Sequence, residues 1–318
     1  MAIEVEKVRS TVRKEAGFFR RILHPKARKT LFIIAVLAPN VFYYLFFIAY
    51  PMLLSLIGSF YDWHLATKVR KFIGLKNYIN IFTKDTIAIK SLINSLTFMV
   101  YIVPSILVFS LLVALLLDKM TTKIRGFFTA CFFLPVITSM IAVSMMWKWL
   151  YHPVFGLINY IIIELLGLPY YMTWLQNPHQ ALPAVAIMTV WRFMGYYAVI
   201  LLAGLQGIPD MFYEAASIDG ATGWKRVWHI TLPLLVPTIV FVLVMSVINA
   251  MVAFAQIYVM TPEGGPARST TVVAFYIYEK GIQWGQFGAA SALAYILFGI
   301  VLVFTLIQLR VAKASWRY

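Results

Sequence analysis

Long apolar runs alternate with short polar stretches along most of this chain. Each of six runs is long enough to cross the ~30 Å hydrocarbon core of a bilayer, which takes about 20 residues in a helix. The runs cover about residues 31–60, 91–117, 127–150, 182–207, 235–260 and 289–309. This pattern predicts an all-α polytopic membrane protein with six transmembrane helices.

The segments outside these runs predict the remaining organisation. Residues 1–30 are polar and basic, and the run that follows is too long for the core of a signal peptide and lacks a small-residue cleavage site. We therefore expect a retained cytoplasmic arm at 1–30, a transmembrane domain at 31–311 and a cytoplasmic tail at 312–318. Leu157–Leu168 is apolar but short, so we expect it at the membrane interface; a seventh span is the alternative.

Composition excludes most soluble classes. Hydrophobic residues make up 62% of the 318 residues and charged residues 12%, with a mean hydropathy of +0.82. A soluble domain carries about 25% charged residues. Cys131 is the single cysteine, so the chain has neither an internal disulfide nor a cysteine-based metal site. The net charge of +15 then indicates cytoplasmic anchoring rather than binding to nucleic acid.

The distribution of Lys and Arg predicts the orientation. With the N-terminus inside, the inner segments hold 17 basic residues and the outer segments hold 9. Positive residues gather on the cytoplasmic side, so we expect both termini there. The outer basic residues are Lys68, Arg70, Lys71, Lys76, Lys84, Lys90, Lys148, Arg268 and Lys280. The first six, which come before the second run, are an exception to this rule.

The segment 208–234, between the fourth and fifth runs, is too polar to cross the membrane. Asp210 after Pro209 is typical of a helix N-cap, and it predicts a helix at about 211–218. Gly220 and Gly223 would end or turn that helix, and a second short helix would cover about 224–231. We therefore expect a short helix-turn-helix that docks onto another protein.

The spacing within this segment resembles a known signature. Glu214-Ala215-Ala216, then Gly220, then Ile230 and Leu232-Pro233 is similar to the cytoplasmic loop of ATP-binding-cassette importer permeases. Asp219 and Ala221 extend the match toward the carbohydrate-uptake branch, and the chain most resembles the larger maltose-permease-type and the first glycerol-phosphate-permease-type subunits. Further matches lie at residues 74–78, Arg125, 134–135, 156–159, Trp191, Gly195, 203–206, Thr261, 264–266 and Thr270.

The resemblance implies a heteromeric transporter in the bacterial inner membrane. The chain has no GxxxxGK[ST] loop, so ATP and Mg would be bound by partner subunits and this chain would hold no cofactor or metal. The implied partners are a second permease, two nucleotide-binding ATPase subunits, an extracytoplasmic solute-binding protein and membrane lipid. The residues implied to couple to the ATPase are Glu214, Ala215, Ala216, Asp219, Gly220, Ala221, Ile230, Leu232 and Pro233.

The implied solute is a sugar or oligosaccharide, and polar side chains within spans are candidates for its pathway. Asn249 and Gln256 are seven residues apart, which would put them on one helix face with Ala253 between. The full set of candidates on the last three runs is Trp191, Arg192, Tyr196, Asn249, Ala253, Gln256, Ser291 and Tyr295. The alternative role for such polar residues is interhelical hydrogen bonding, and for the aromatic ones packing.

Arg192 lies well inside the fourth run and therefore needs compensation. It would bond to backbone carbonyls or to a partner's carboxylate, or alternatively meet an anionic solute. The outer basic residues lend some weight to acidic solutes. Neutral di- and oligosaccharides are the default, with acidic oligosaccharides such as uronate oligomers, or glycerol phosphate, as alternatives.

Two other classes of function compete with import driven by ATP. An ion-coupled secondary transporter would need carboxylates near the bilayer midplane, whereas the acidic residues after the first run fall in loops or at span ends. An enzyme would need a catalytic constellation, and the five histidines are scattered without metal-ligand spacing. The sequence therefore predicts a chain that is not itself an enzyme.

Overall fold

The computed structural model describes residues 25–64, 70–168 and 171–315. Most of the arm predicted at 1–30, Lys68 in the outer basic set and the last three residues of the tail lie outside these ranges. The chain divides into two compact units, Met1–Ile57 and Gly58–Tyr318. Each unit is described by itself below.

The first unit contains one long, interrupted helical segment. Helix α1 spans Pro25–Tyr43 with Pro39 inside it, a π-helical turn covers Tyr44–Ala49, and α2 spans Tyr50–Gly58. The segment Lys29–Gly58 is long and apolar enough to cross a membrane. The helix therefore begins earlier than residue 31 and ends slightly before residue 60.

The second unit opens with a small polar module rather than with a helix. Strands β1 (Tyr61–Trp63) and β2 (Arg70–Phe72) pair antiparallel, with Tyr61 opposite Phe72, and α3 follows at Lys76–Thr83. Asn77 on α3 donates through Nδ2 to the Tyr61 carbonyl at 3.0 Å. The expectation of an all-α protein is therefore wrong in this detail, because a two-stranded hairpin follows the first span.

The second to fourth predicted spans lie close to their expected positions, with one break. Helix α4 spans Thr86–Asp118 and α8 spans Ala181–Gln206. The third run divides into α5 (Thr122–Ile137) and α6 (Met140–Leu150), which are bent by 95°. Pro135 lies in the last turn of α5, and Thr138 and Ser139 have extended backbone, so the helical hydrogen bonding stops there.

A long connection, residues 151–180, links α6 to α8. It contains α7 (Leu157–Tyr160), which continues as a π-helical turn at Ile161–Leu165, and a 3-10 turn at Trp174–Gln176. The apolar stretch expected at the interface is thus only partly helical.

After α8 come α9 (Asp210–Ile218) and α10 (Trp224–Arg226), with a π-helical turn at Val227–Thr231. Helix α11 spans Leu232–Met251 and α12 spans Ala255–Met260, so the expected continuous span 235–260 is broken at 252–254. Two 3-10 turns, Pro262–Gly264 and Pro266–Arg268, lead to α13 (Val273–Tyr278), a π-helical turn at Glu279–Gln283 and α14 (Phe287–Ser315).

Among the described residues, five helical segments qualify as membrane spans, and six if α5 and α6 count as one bent span. Helix α4 packs along α8, and α11 packs against both α4 and α14. The core between them combines Phe98, Met188 and Val242 with small or polar residues such as Ser91 and Ser95. Small residues allow close helix contact inside a membrane, where burial of apolar surface gives no advantage over lipid.

Candidate functional site

The polar loop 208–234 forms a folded module at one end of the helix bundle. Helix α8 ends at Gln206, Pro209 has extended backbone, and Asp210 is the first residue of α9 rather than its N-cap as expected. A carboxylate in the first turn favours the helix through its dipole. The module thus begins at a well-defined corner between two helices.

Helix α9 has one exposed face without a partner among the described residues. Met211, Glu214, Ala215 and Ile218 are spaced i, i+3, i+4 and i+7, and all four are exposed. Met211 is 67% exposed and Ile218 is 87% exposed, whereas Ala216 on the opposite face is only 5% exposed. An acidic residue thus lies at the centre of a mainly apolar face.

Gly220 ends α9 in a Schellman motif. The Ala221 amide donates to the Ala216 carbonyl at 2.8 Å, and the Gly220 amide donates to the Ser217 carbonyl at 3.2 Å. Gly220 has φ +73°, the left-handed conformation that this motif requires and that glycine adopts without strain. Asp219 and Gly220 are exposed at this corner, and Ala221 is half-buried.

Side-chain contacts brace the two halves of the loop against each other. The Arg226 guanidinium lies 5.0 Å above the ring of Tyr213, whose hydroxyl lies 3.3 Å from Thr231 Oγ1. Ile230 and Leu232 are half-buried and Pro233 is exposed in the first turn of α11. The exposed face of α9 is therefore held at a fixed angle to the start of α11.

The in-span arginine donates to backbone carbonyls within the protein. Arg192 is 8% exposed, and its Nη2 donates to the carbonyls of Val136 at 3.1 Å and Thr138 at 2.8 Å. These carbonyls lie where the break between α5 and α6 leaves helical hydrogen bonds unmade. Of the expected alternatives, the geometry supports the backbone carbonyls.

The helices at this break approach closely. A Cβ on Gly195 would lie 1.8 Å from the carbonyl oxygen of Phe132, so α8 and α5 touch backbone to backbone there. Only glycine fits at such a distance. Gly195 and Arg192 together fix α5 to α8 next to the bend.

The pair Asn249 and Gln256 does not share a helix face. Asn249 is near the end of α11 and Gln256 is in α12, with the break at 252–254 between them. Asn249 Nδ2 donates to the hydroxyl of Tyr197 at 2.9 Å, which is an interhelical bond. Gln256 and Ala253 are buried. The heptad interpretation was wrong because the helix ends within it.

The remaining pathway candidates lie in separate surroundings. Trp191 packs on Trp147 with ring centroids 5.4 Å apart, and Tyr196 lies 6.4 Å from Phe133. Ser291 and Tyr295 are one turn apart on α14, and both are half-buried.

Sequence reasoning missed a column of aromatic rings. From α8 outward it consists of Trp191, Trp147, Tyr151 and Trp174, with successive centroids 5.4, 5.3 and 4.9 Å apart. The hydroxyl of Tyr151 donates to the Ala184 carbonyl at 3.0 Å. The spacing of Trp147 and Tyr151, one helical turn apart, was the available signal for one part of this column.

Two ion pairs at the end of the bundle opposite α9 were also missed. Lys280 Nζ lies 2.8 Å from Asp85 Oδ2, and Arg268 pairs with Glu279, which is 3% exposed. Asp85 also caps α4 by accepting from the Ala88 amide at 2.9 Å, and Tyr276 donates to it. Burial raises the pKa of Asp85, but the bonds from Lys280, Ala88 and Tyr276 outweigh it, so the pKa is lowered overall.

In the part of the chain that the structure describes, no group of three or more His, Cys, Asp or Glu residues is arranged to hold a metal ion. The candidate site consists of the exposed face of α9 and a set of polar contacts within the bundle.

Comparison with known proteins identifies related chains. Residues 87–316 match the family model described as "Binding-protein-dependent transport system inner membrane component". The probable ABC transporter permease protein YesP of Bacillus subtilis is 36% identical over 281 residues, covering 88% of this chain and 89% of that protein. The arabinooligosaccharides transport system permease protein AraP of the same organism is 30% identical over 300 residues, covering 94% and 93%.

A solved structure shows the same fold. A bacterial ABC transporter involved in the import of the acidic polysaccharide alginate matches with a TM-score of 0.79 at 22% identity. The match covers 94% of this chain and 99% of the transporter chain.

Proposed function

The chain belongs to the family of binding-protein-dependent transport system inner membrane components, and on this premise we propose that it forms one half of the membrane pathway of a saccharide importer. It is an inner-membrane permease of the ATP-binding-cassette class and is not itself an enzyme. Its relatives include a permease named for arabinooligosaccharides, which supports an oligosaccharide as solute.

The observation that carries the proposal is the exposed face of α9. Met211, Glu214 and Ile218 on one face of a braced helix offer apolar contact around a single carboxylate. We assign this face to a cleft of a nucleotide-binding ATPase subunit, where Glu214 meets an arginine or backbone amides. Such charge-assisted hydrogen bonds are roughly twice as strong as neutral ones.

The braced loop would transmit the movement of the ATPase subunits. Arg226 on Tyr213 joins α9 to the segment that enters α11, so a pull on α9 reaches α11 without a flexible joint. The left-handed Gly220 keeps the corner tight. The residues assigned to coupling are those expected from the sequence: Glu214, Ala215, Ala216, Asp219, Gly220, Ala221, Ile230, Leu232 and Pro233.

We infer that α9 faces the cytoplasm and that both termini lie there. The excess of 17 basic residues over 9 supports this orientation. The β1–β2 hairpin and α3 would then lie on the outer side, and the hairpin is the part where a loaded binding protein would dock. The complete transporter would contain this chain, a second permease, two ATPase subunits that bind ATP and Mg, and the binding protein.

For the solute pathway we retain Trp191, Tyr196, Ala253, Gln256, Ser291 and Tyr295. Asn249 is left out because it bonds to Tyr197, and so is Arg192. The Arg192 guanidinium is already bonded to two carbonyls, so we assign it to the break between α5 and α6. Neutral oligosaccharides are the default solute. The acidic alternative gains support from the fold shared with the alginate transporter.

Charge reversal on α9 tests this proposal. In the complete transporter, Glu214→Lys should abolish saccharide uptake and weaken the association of the ATPase subunits, while membrane insertion is unchanged. Glu164→Lys is the matched control, because Glu164 is also exposed but lies in the connection between α6 and α8. Normal uptake and normal ATPase association in the Glu214 variant would contradict the assignment.

A further inference from the structure

A cavity with a mainly apolar lining and a few polar groups opens at the end of the bundle opposite α9. It has a volume of about 430 Å³ and is lined by residues of 148–153, 173–176 and 260–266. These segments are the end of α6, the connection before α8 and the turn after α12. The volume falls within the range of about 300–1,000 Å³ that is typical of small-molecule sites.

One wall of this cavity is fixed by hydrogen bonds. Asn94 Nδ2 donates to the carbonyls of Arg268 at 3.1 Å and Thr271 at 3.0 Å, which ties the loop to α4. Thr270 Oγ1 donates to Thr261 Oγ1 at 2.8 Å across the base of the loop. Gly265 has φ +75°, and a Cβ there would lie 2.6 Å from Thr270 Oγ1, so the turn requires glycine. The wall is thus shaped before any ligand arrives.

Basic residues elsewhere at this end of the bundle already have contacts. Arg268 pairs with Glu279, and Lys280 pairs with Asp85. Lys90 Nζ donates to the Ala267 carbonyl at 2.7 Å. Carboxylates therefore neutralise Arg268 and Lys280, and the Lys90 ammonium is held by a backbone carbonyl away from the lining of the cavity.

Lys148 differs from these residues. It lies in the last turn of α6, it lines the cavity, and it takes part in none of the ion pairs found among the described residues. Glu263 belongs to the loop after α12, but it does not line the cavity; both Glu263 and Lys148 are exposed. Since Lys148 is the one lining residue with a fixed charge in the described part of the chain, the cavity favours an anion.

The other lining groups suit the hydroxyls of a sugar. Thr173 and Gln176, in the connection before α8, provide a hydroxyl and an amide, and His152, just after α6, provides an imidazole. The His152 ring is held in place because its Nδ1 accepts the Val154 amide at 3.2 Å. A cation surrounded by hydrogen-bonding groups matches a sugar ring that bears a carboxylate.

We propose that this cavity holds an acidic saccharide unit, such as a uronate residue, as it enters the pathway, and that Lys148 selects for its carboxylate. This inference rests on the proposed function and adds a substrate class to it. The ammonium forms a charge-assisted hydrogen bond with the carboxylate, which a neutral sugar cannot offer.

The test compares an acidic and a neutral probe in the complete transporter. Uptake of a galacturonate trimer and of an arabinose trimer is measured for the unaltered protein, Lys148→Gln, Lys148→Arg and Lys76→Gln. Lys76 is the matched control, because it is exposed at the start of α3 at the same end and does not line this cavity. We expect Lys148→Gln to lose about tenfold in uronate uptake below saturation. Uptake of the neutral trimer by that variant, and uronate uptake by the other two, should be unchanged.

Three results would overturn the inference while leaving the importer function intact. They are uronate uptake by Lys148→Gln at the unaltered level, an equal loss for both trimers, and transport of the neutral trimer alone by the unaltered protein. Transport of neither trimer nor any other saccharide would instead contradict the proposed function and the inference with it.

Discussion

Arg192 on α8 donates through Nη2 to the carbonyl oxygen of Thr138 at 2.8 Å, across the break between α5 and α6. The same nitrogen reaches the Val136 carbonyl, so one guanidinium satisfies two acceptors that the bend exposes. A charge inside a span costs at least ~2.5–3.5 kcal/mol on insertion scales. Two carbonyl acceptors at the C-terminus of α5, where the helix dipole is negative, offset that cost.

Replacing Arg192 by Met should therefore destabilise the bend. Leaving a buried carbonyl unpaired costs about 1–3 kcal/mol, and these two carbonyls are partly buried, so the thermal stability of the purified transporter should fall by less than that for each. Arg192→Lys should recover part of the loss, because an ammonium still donates but lacks the planar fork. Uptake of neutral and acidic saccharides should decline together. A loss confined to acidic solutes, with stability unchanged, would instead assign Arg192 to the solute.

The bond between Asn249 and Tyr197 predicts a measurable coupling between α11 and α8. Asn249→Leu and Tyr197→Phe should each destabilise the transporter, and the double variant should lose less than the sum. Interhelical hydrogen bonds in membranes contribute about 0.6 kcal/mol on average and up to about 1.7. A double-mutant cycle on the unfolding free energy measures the coupling. If Asn249→Leu impairs uptake and Tyr197→Phe leaves it normal, Asn249 acts on the solute instead.

The pair of Asp85 and Lys280 predicts an acid-sensitive stability. Because the folded-state pKa of Asp85 lies below its ordinary value of 3.8, the pair stabilises the protein above that pH. This contribution falls as the pH drops through the folded-state pKa. Thermal unfolding at stepwise lower pH should show the decline in the unaltered protein, and Asp85→Asn should show less of it.

At neutral pH the single variant should be the less stable one. Breaking a buried pair by removing one partner costs about 3–5 kcal/mol, because the other charge stays buried. The double variant Asp85→Asn with Lys280→Gln should therefore be more stable than Asp85→Asn alone. Equal stability of the two variants would show that Lys280 is not held by Asp85.

The exposed apolar face of α9 predicts that a charge added on this face weakens the association of the ATPase subunits, whereas a charge beside it does not. Ile218→Asp puts a carboxylate into the apolar part of the face and should release the ATPase subunits during purification. Ser217→Asp is the matched control, since Ser217 is exposed and lies beside this face rather than on it. Retention of the ATPase subunits by both variants would place their contact elsewhere.

The long apolar runs predicted the helices well, because bilayer thickness fixes their length independently of tertiary contacts. The positions of α4 and α8 differ from expectation by only a few residues at most. Pro209-Asp210 and Gly220 likewise predicted the loop helix and its glycine corner, although Asp210 lies inside the helix and not at its N-cap. Gly220 adopts the left-handed conformation that the end of the helix requires. This requirement involves only neighbouring residues, so the sequence alone can predict it.

The errors concern features that depend on distant residues. The bend after Ile137 is held by Arg192, which lies 54 residues beyond Thr138, and no local pattern reports such a bond. Asn249 and Gln256 matched a helical heptad, but the helix ends at Met251. Lys280 was counted with the free charges of the outer side, although Asp85 neutralises it across the fold.

The most direct test of the central claim is uptake into vesicles with and without the ATPase subunits. Vesicles that contain this chain, the second permease, the ATPase subunits and a loaded binding protein should accumulate an oligosaccharide against its gradient only when ATP is present on the side that α9 faces. Vesicles without the ATPase subunits should accumulate none. Concentrative uptake in their absence, driven by an ion gradient, would contradict the account.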